Sequence, residues 1–150
     1  MELNGVKLAL AASAALALLA FAPGVAAAQD GRTVEGVQAF VSTQIGAGSV
    51  TSLRWGAANP TDFAEFNYLA DEITPHAAKS AGRCATEFTD GSSDSVAIDW
   101  SRVSEVRLHS GGTLMIWGGV DGTDNAWFVI ESPQVRDGLT AALQFLKDQC

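Results

Sequence analysis

Two histidines, His76 and His109, are the residues of this chain best suited to general acid–base chemistry. With Lys79 they supply the side-chain types that a small hydrolase uses to move protons. Such catalysis requires both groups within hydrogen-bond reach of one substrate proton, and their wide separation along the chain does not establish this. A secreted hydrolase that uses His76 or His109 is therefore kept as an alternative, and the sequence favours a non-enzymatic function.

Other catalytic patterns are missing from the sequence. It lacks the Gly-x-Ser-x-Gly motif of serine hydrolases. Its two cysteines, Cys84 and Cys150, lack the CxxC spacing of redox enzymes. We therefore predict no catalytic residue set and no cofactor.

Oxygen-bearing side chains are concentrated in two turn-rich segments, 90–94 and 121–125. Calcium prefers oxygen ligands, which makes Asp121, Asp124 and Asn125 candidate ligands. However, the EF-hand pattern with its terminal Glu is missing, and the same residue types are typical of hairpin loops. No His/Cys cluster suggests zinc. The sequence therefore predicts no metal site.

Four tryptophans could form either a binding surface or a core. Trp117 and Trp127 lie on predicted strands that could be neighbours, and a shared exposed face would give a stacking platform for a sugar or a peptide. The alternative is that Trp55, Trp100, Trp117 and Trp127 fill the space between sheet and helix. The sequence favours the core but does not encode the direction of these side chains.

The first 28 residues have the layout of a cleavable signal peptide. A cation precedes an apolar run over residues 8–22, and a Pro-Gly pair and small residues follow. We predict cleavage between Ala28 and Gln29, with the two positions just before it as alternatives. A membrane anchor is disfavoured because a spanning helix needs roughly 20 apolar residues. We thus expect one exported domain, residues 29–150, in the bacterial periplasm or outside the cell, with no stable membrane span.

The charge of the chain restricts its partners. The sequence has 17 acidic and 9 basic residues, a net charge of −8, and cleavage removes Glu2 and Lys7 together. Nucleic acid and anionic lipid both require clustered cations, so we exclude them. A protein or a small ligand of unspecified chemistry remains as partner.

Export gives the two cysteines a structural role. In an oxidising compartment pairing is the default, so we predict a Cys84–Cys150 disulfide that ties the last residue to the middle of the domain. The chain-entropy model gives such a bond about 4 kcal/mol. A redox-active or dimerising thiol is the alternative.

Two helices are predicted at the ends of the mature domain. Thr33 can cap a helix whose buried stripe would contain Val34, Val37, Phe40, Val41 and Ile45. Ser132 can cap a C-terminal helix with Pro133 at its first position and an apolar stripe that continues to Cys150.

Several short strands are predicted between the helices. Strands are indicated at 50–55, 83–88, 96–100, 106–108, 113–117 and 127–131, with Gly118-Gly119 and 121–125 as loops. Residues 61–75 fit a helix or a strand, with a slight preference for a strand.

The predicted fold class is α+β: an N-terminal helix, a curved antiparallel sheet built as a meander, and a C-terminal helix packed on the sheet and tied by the disulfide. A curved sheet closed by a C-terminal helix resembles the pleckstrin-homology-like barrels. The resemblance concerns the fold alone and implies no function.

The most favoured function is an exported, disulfide-stabilised binding or interaction module of unknown ligand. An inhibitor of a secreted enzyme is an alternative to it and to the hydrolase. It would use an exposed rigid loop, for which the segments Asp90–Asp94 and Asp121–Asn125 are the candidates.

Overall fold

The computed structural model describes residues 32–56, 71–109, 111–120 and 124–150. The predicted signal peptide, its cleavage position between Ala28 and Gln29, and the candidate ligand Asp121 lie outside these residues.

Helix α1 spans Val34–Gly46 and begins where the sequence predicts. The hydroxyl of Thr33 accepts a hydrogen bond from the backbone N–H of Gly36 at 3.0 Å, which satisfies one free donor of the first turn. The buried stripe is confirmed for Val34, Val37, Val41 and Ile45. The prediction was wrong for Phe40, which is 39% exposed because it lies on the flank of that stripe.

Eight strands form one antiparallel sheet in the described part of the chain. The strands are β1 Ser52–Gly56, β2 Asp71–Ile73, β3 Ala77–Ser80, β4 Ala85–Thr89, β5 Ser95–Asp99, β6 Glu105–Leu108, β7 Thr113–Val120 and β8 Asp124–Val129. Their order in the sheet is β2-β1-β8-β7-β5-β4-β3, and β6 pairs with β7 beside this path. Strands β1 and β2 pair with each other. The later consecutive strands pair in two sets, β3-β4-β5 and β6-β7-β8, as in a meander.

Strand β7 joins the two sets because it pairs with different strands along its length. Its first residues pair with β6, whereas Val120 at its end pairs with Ile98 of β5. The prediction of a loop at Gly118-Gly119 was wrong, since both glycines lie inside β7 at an irregularity of the β7–β8 register. This irregularity lets one strand belong to two parts of a strongly curved sheet.

Two other strand predictions needed correction. Asp124 and Asn125 belong to β8 and not to a loop, because they pair with β7 and β1 respectively. Strand β3 was not predicted, since Ala78 alone among its residues is buried and the strand carries no apolar alternation. Within the ambiguous segment 61–75, Asp71–Ile73 form β2, and residues 61–70 lie outside the described part.

The C-terminal helix α2 spans Pro133–Gln149 and covers the inward face of the sheet. Ser132 caps it as predicted, and the predicted apolar stripe consists of the buried residues Leu139, Ala142, Leu143 and Leu146 together with the partly buried Val135. These side chains join one core with α1 and with alternate residues of the strands.

The predicted Cys84–Cys150 disulfide is confirmed, with the two Cα atoms 5.6 Å apart. It joins the end of α2 to the residue before β4, and Cys150 packs against the core. The predicted α+β architecture, with a helix at each end and an antiparallel sheet between them, is thereby confirmed.

Candidate ligand-binding site

The outward face of the sheet, which lies opposite the helices, carries a second hydrophobic cluster. Trp127 of β8 pairs with Met115 of β7, and they are only 3% and 2% exposed. Trp117 lies two residues beyond Met115, packs against both side chains and is half-buried. Alternate strand residues share a face, so Leu114 and Ile116 of the same strand belong to the main core. The two candidate tryptophans, Trp117 and Trp127, therefore meet in one cluster.

The position of Trp117 depends on the two glycines that follow it. Gly118 and Gly119 have φ values of 77° and 81°, a conformation that side chains disfavour. A Cβ on Gly118 would lie 2.7 Å from the carbonyl oxygen of Arg102, so the close approach of that backbone requires glycine. The amide oxygen of Asn125 accepts a hydrogen bond from the N–H of Gly118 at 3.0 Å. This bulge, directly after Trp117 in β7, fixes the direction of the Trp117 side chain.

Arg107 and Glu105 of β6 complete a surface around Trp117 that we call the outer patch, made of these three residues. Glu105 is the register partner of Trp117, and the guanidinium carbon of Arg107 lies 4.7 Å from the centre of the Trp117 ring. Oε1 of Glu105 lies 3.5 Å from Nε of Arg107. The side chains of Arg107 and Glu105 are 56% and 49% exposed. The patch thus combines an aromatic surface, a cation and an anion.

Several polar groups of the outer patch are available to a ligand. Among the described residues, no protein group accepts a hydrogen bond from either Nη atom of Arg107 or from Nε1 of Trp117. The carboxylate of Glu105 contacts Arg107 through one oxygen alone. Hydrogen-bond donors and an acceptor therefore surround the exposed part of the indole ring.

The other end of the same face is occupied by charged groups that bind one another. Arg54 of β1 is the register partner of Trp127, and its Nε lies 3.2 Å from Oε1 of Glu72. The hydroxyl of Ser52 donates to the same carboxylate at 2.5 Å. This hydrogen bond, followed by that from Arg54, lowers the pKa of Glu72, although burial opposes the shift. The charged groups at this end of the face therefore contact one another, whereas the outer patch keeps donors without a partner among the described residues.

The histidines of the acid–base hypothesis lie on different hairpins. His109 follows β6, and its ring centre lies 6.2 Å from that of Trp127. His76 precedes β3, where Lys79 forms an ion pair with Glu87 at 2.9 Å. The structure thus brings His109 next to the outward cluster and places His76 with Lys79 on the β3–β4 hairpin.

The candidate calcium ligands serve other roles where the structure describes them. The oxygen of Asn125 is used at the Gly118 bulge, and Asp124 begins β8. In the second acidic segment, Asp90 accepts hydrogen bonds from the hydroxyl and the N–H of Ser92, which lower its pKa. In the described part of the chain, no group of three His, Cys, Asp or Glu side chains could hold a metal ion.

The remaining tryptophans belong to the main core. Trp100 is fully buried, and its Nε1 donates to Oγ1 of Thr86 at 2.9 Å. Trp55 is partly buried and packs against the same core. Two tryptophans thus face inward and two lie in the outward cluster, a division that the sequence did not predict.

Sequence reasoning missed Arg107 and Glu105 as site residues. In the sequence, Glu105, Arg107 and His109 alternate with the apolar residues Val106 and Leu108, a pattern that puts these three on one face of a strand. The missing information was the β6–β7 register, which sets Glu105 opposite Trp117.

Comparison with known proteins gives little guidance. No protein-family model matches the chain, and no curated protein matches it either. Among solved structures, the solution structure of the N-terminal PH domain of the human ARAP2 protein is similar, with a TM-score of 0.41 and 14% sequence identity. The match covers 69% of this chain and 83% of that one. A similarity of this degree does not indicate a ligand or a partner for this chain.

None of the helices within the described residues combines the length and the hydrophobicity needed to cross a bilayer.

Proposed function

We propose that the mature domain is an exported binding module, and that the outer patch is its ligand-binding site. The observation that carries the proposal is the contact of Arg107 with Trp117 at 4.7 Å, with open donor groups on both side chains. Partly exposed aromatic rings next to donors that lack a hydrogen-bond acceptor are typical of surfaces that bind ligands.

The framework around the patch supports binding without large movement. Trp117 rests on Met115 and Trp127, and the Gly118 bulge holds the strand at this point. The Cys84–Cys150 disulfide, which suits an oxidising compartment, links the end of α2 to the residue before β4. A rigid site loses little conformational entropy when a ligand binds.

The carboxyl groups favour binding over catalysis by a carboxylic acid. A carboxyl group that acts as a general acid has its pKa raised toward neutrality. Among the described residues, the carboxyl groups with a resolved shift have a lowered pKa: Glu72, Glu87, Asp90 and Asp148. Each receives side-chain hydrogen bonds that stabilise the charged form.

The experiment compares variants on immobilised arrays of short peptides and of oligosaccharides. The mature domain should bind a defined subset, and Trp117→Ala should weaken that binding about tenfold or more. Phe40→Ala is the control, because Phe40 is an aromatic residue accessible to solvent that lies on α1. Circular dichroism confirms that each variant is folded.

Two results would overturn this proposal. One is array binding that Trp117→Ala leaves unchanged. The other is cleavage of a bound array ligand by the wild-type domain that is lost in the His76→Ala or His109→Ala variant, which would favour the hydrolase.

A further inference from the structure

The outer patch pairs one cation with one anion at short range. Arg107 and Glu105 approach to 3.5 Å, so the patch has no net charge, and the whole chain carries −8. An anionic ligand would meet the carboxylate of Glu105 and the repulsion of the whole protein. A cationic ligand would meet the positive charge of the Arg107 guanidinium. The charge arrangement thus favours a ligand without net charge.

The hydrogen-bonding groups of the patch are both donors and acceptors. The two Nη atoms of Arg107 and Nε1 of Trp117 are donors without partners among the described residues, whereas the carboxylate of Glu105 accepts. A hydroxyl group both donates and accepts, and neighbouring hydroxyls on a ring can accept from one guanidinium while donating to one carboxylate. A ligand rich in hydroxyl groups uses every polar atom of the patch.

The indole of Trp117 supplies the apolar part of the site. It is half-buried and the guanidinium of Arg107 lies over its ring, so the remaining exposed part of this rigid surface is available for contact. Aromatic side chains contribute much contact area for little lost conformational entropy. The C–H face of a pyranose ring is an apolar surface that can pack on this exposed part and has its hydroxyls at the rim.

A peptide ligand is less suited to this surface. Peptides are recognised through strand edges or through side-chain pockets. Two cavities of about 300 Å³ lie elsewhere: one is along Gln144 and Phe145 of α2, and the other is between Gln38 of α1 and Ala78 of β3. Neither includes a residue of the outer patch.

We propose that the outer patch binds a neutral saccharide ring, an inference that rests on the proposed binding function. The ring packs against Trp117, and neighbouring hydroxyls bridge the guanidinium of Arg107 and the carboxylate of Glu105. The indole N–H of Trp117 donates to a further hydroxyl or to a ring oxygen.

Isothermal titration of the mature domain with neutral oligosaccharides tests this inference. The panel consists of cellohexaose, maltohexaose, xylohexaose and chitohexaose, and the comparators are oligogalacturonate and a poly-glutamate peptide. At least one neutral sugar should bind, and about tenfold tighter than either acidic comparator.

The decisive variant removes the ion pair of the patch without changing the net charge. Glu105→Ala/Arg107→Ala should weaken sugar binding about tenfold or more. The control is Lys79→Ala/Glu87→Ala, which also removes one cation and one anion in contact, here a cross-strand ion pair of 2.9 Å on the β3–β4 hairpin. It should leave the affinity unchanged. Because the patch side chains are about half exposed, their removal should preserve the fold, which circular dichroism checks.

Each other outcome is informative. If no neutral sugar binds, or if the Glu105/Arg107 double variant binds as well as wild type, the saccharide inference is wrong. If peptides or acidic sugars bind instead and Trp117→Ala abolishes that binding, the inference fails while the proposed binding function stands. If Trp117→Ala weakens the binding of no ligand on the arrays, both the saccharide inference and the proposed binding function are wrong.

Discussion

The guanidinium carbon of Arg107 lies 4.7 Å from the centre of the Trp117 ring, across a diagonal of the β6–β7 ladder. Arg107 is the register partner of Met115, and Trp117 lies two residues further along β7. A diagonal neighbour is within reach of long and aromatic side chains, so the sheet itself sets this contact. The outer patch is thus a product of strand register and not of a loop.

The first prediction concerns the energy of this contact. A double-mutant cycle of Arg107→Ala with Trp117→Leu should give a coupling energy of about 0.5–1 kcal/mol, the usual value for an exposed cation–π pair. Urea unfolding of the wild type, both single variants and the double variant measures it. A coupling near zero would mean that Arg107 and Trp117 are adjacent without stabilising each other.

The second prediction concerns the bulge that positions Trp117. Gly118→Ala should lower the free energy of unfolding by about 2–4 kcal/mol, because it combines a strained φ with a clash against the carbonyl of Arg102. Gly48→Ala is the control: its φ of 74° is almost the same, and its Cβ would meet nothing within 4 Å. The control should cost about 1 kcal/mol. Equal losses in thermal or urea unfolding would show that the Arg102 contact is unimportant.

The third prediction concerns the buried hydrogen bond between Trp100 and Thr86. Thr86→Val keeps the shape of the side chain but leaves the indole N–H of Trp100 without its acceptor, so it should cost about 1–3 kcal/mol. Thr43→Val is the control, because the Thr43 hydroxyl is exposed on α1 and donates to a carbonyl of its own helix. It should stay within about 0.5 kcal/mol of wild type. Equal effects of the two substitutions in urea unfolding would contradict the importance of the buried bond.

The helices could be predicted from the sequence because their signals are local. Thr33 and Ser132 act within one turn of their own helices, and the apolar stripe of α2 repeats along a single segment. The disulfide could be predicted because the chain offers one possible pair of cysteines. Each of these inferences needs no knowledge of which segments become neighbours.

The candidate site could not be predicted to the same extent because it depends on pairing between strands. Gly118-Gly119 has the composition of a turn, and only the approach of the Arg102 carbonyl makes it part of a strand. Glu105 and Trp117 are 12 positions apart in sequence and become partners through the β6–β7 register. Cross-strand register follows from the packing of the whole sheet, which a local pattern does not encode.

The fourth prediction concerns the stability of the domain in acid. The hydrogen bond from Ser52, and then the contact with Arg54, lower the pKa of Glu72 in the folded protein. The folded state therefore binds fewer protons than the unfolded state near this pKa. The contribution of the ionised Glu72 carboxylate to the free energy of unfolding is complete above the ordinary glutamate pKa of about 4.3. It is lost as the pH falls through the lowered pKa of the folded protein.

Ser52→Ala should therefore destabilise the domain at pH 7 and have a smaller effect at pH 2. Because the side chain of Glu72 is 47% exposed, the loss at pH 7 should be less than about 1 kcal/mol. Ser104→Ala is the control, since its hydroxyl donates to the carbonyl of Trp117, which does not titrate. The cost of that substitution should be the same at both pH values. If Ser52→Ala lowers the free energy of unfolding by the same amount at pH 7 and at pH 2, the Ser52–Glu72 hydrogen bond does not have this role.

The fifth prediction concerns the disulfide. Cys84→Ser/Cys150→Ser should lower the free energy of unfolding by about 2–4 kcal/mol, because the bond spans 66 residues and restricts the unfolded chain. Reduction of the wild type with dithiothreitol should give the same loss, which separates the bond from the serine substitutions. The variant should still fold, since Leu139, Leu143 and Leu146 hold α2 on the sheet without the bond. Unchanged stability in both experiments would mean that the bond contributes nothing to the fold.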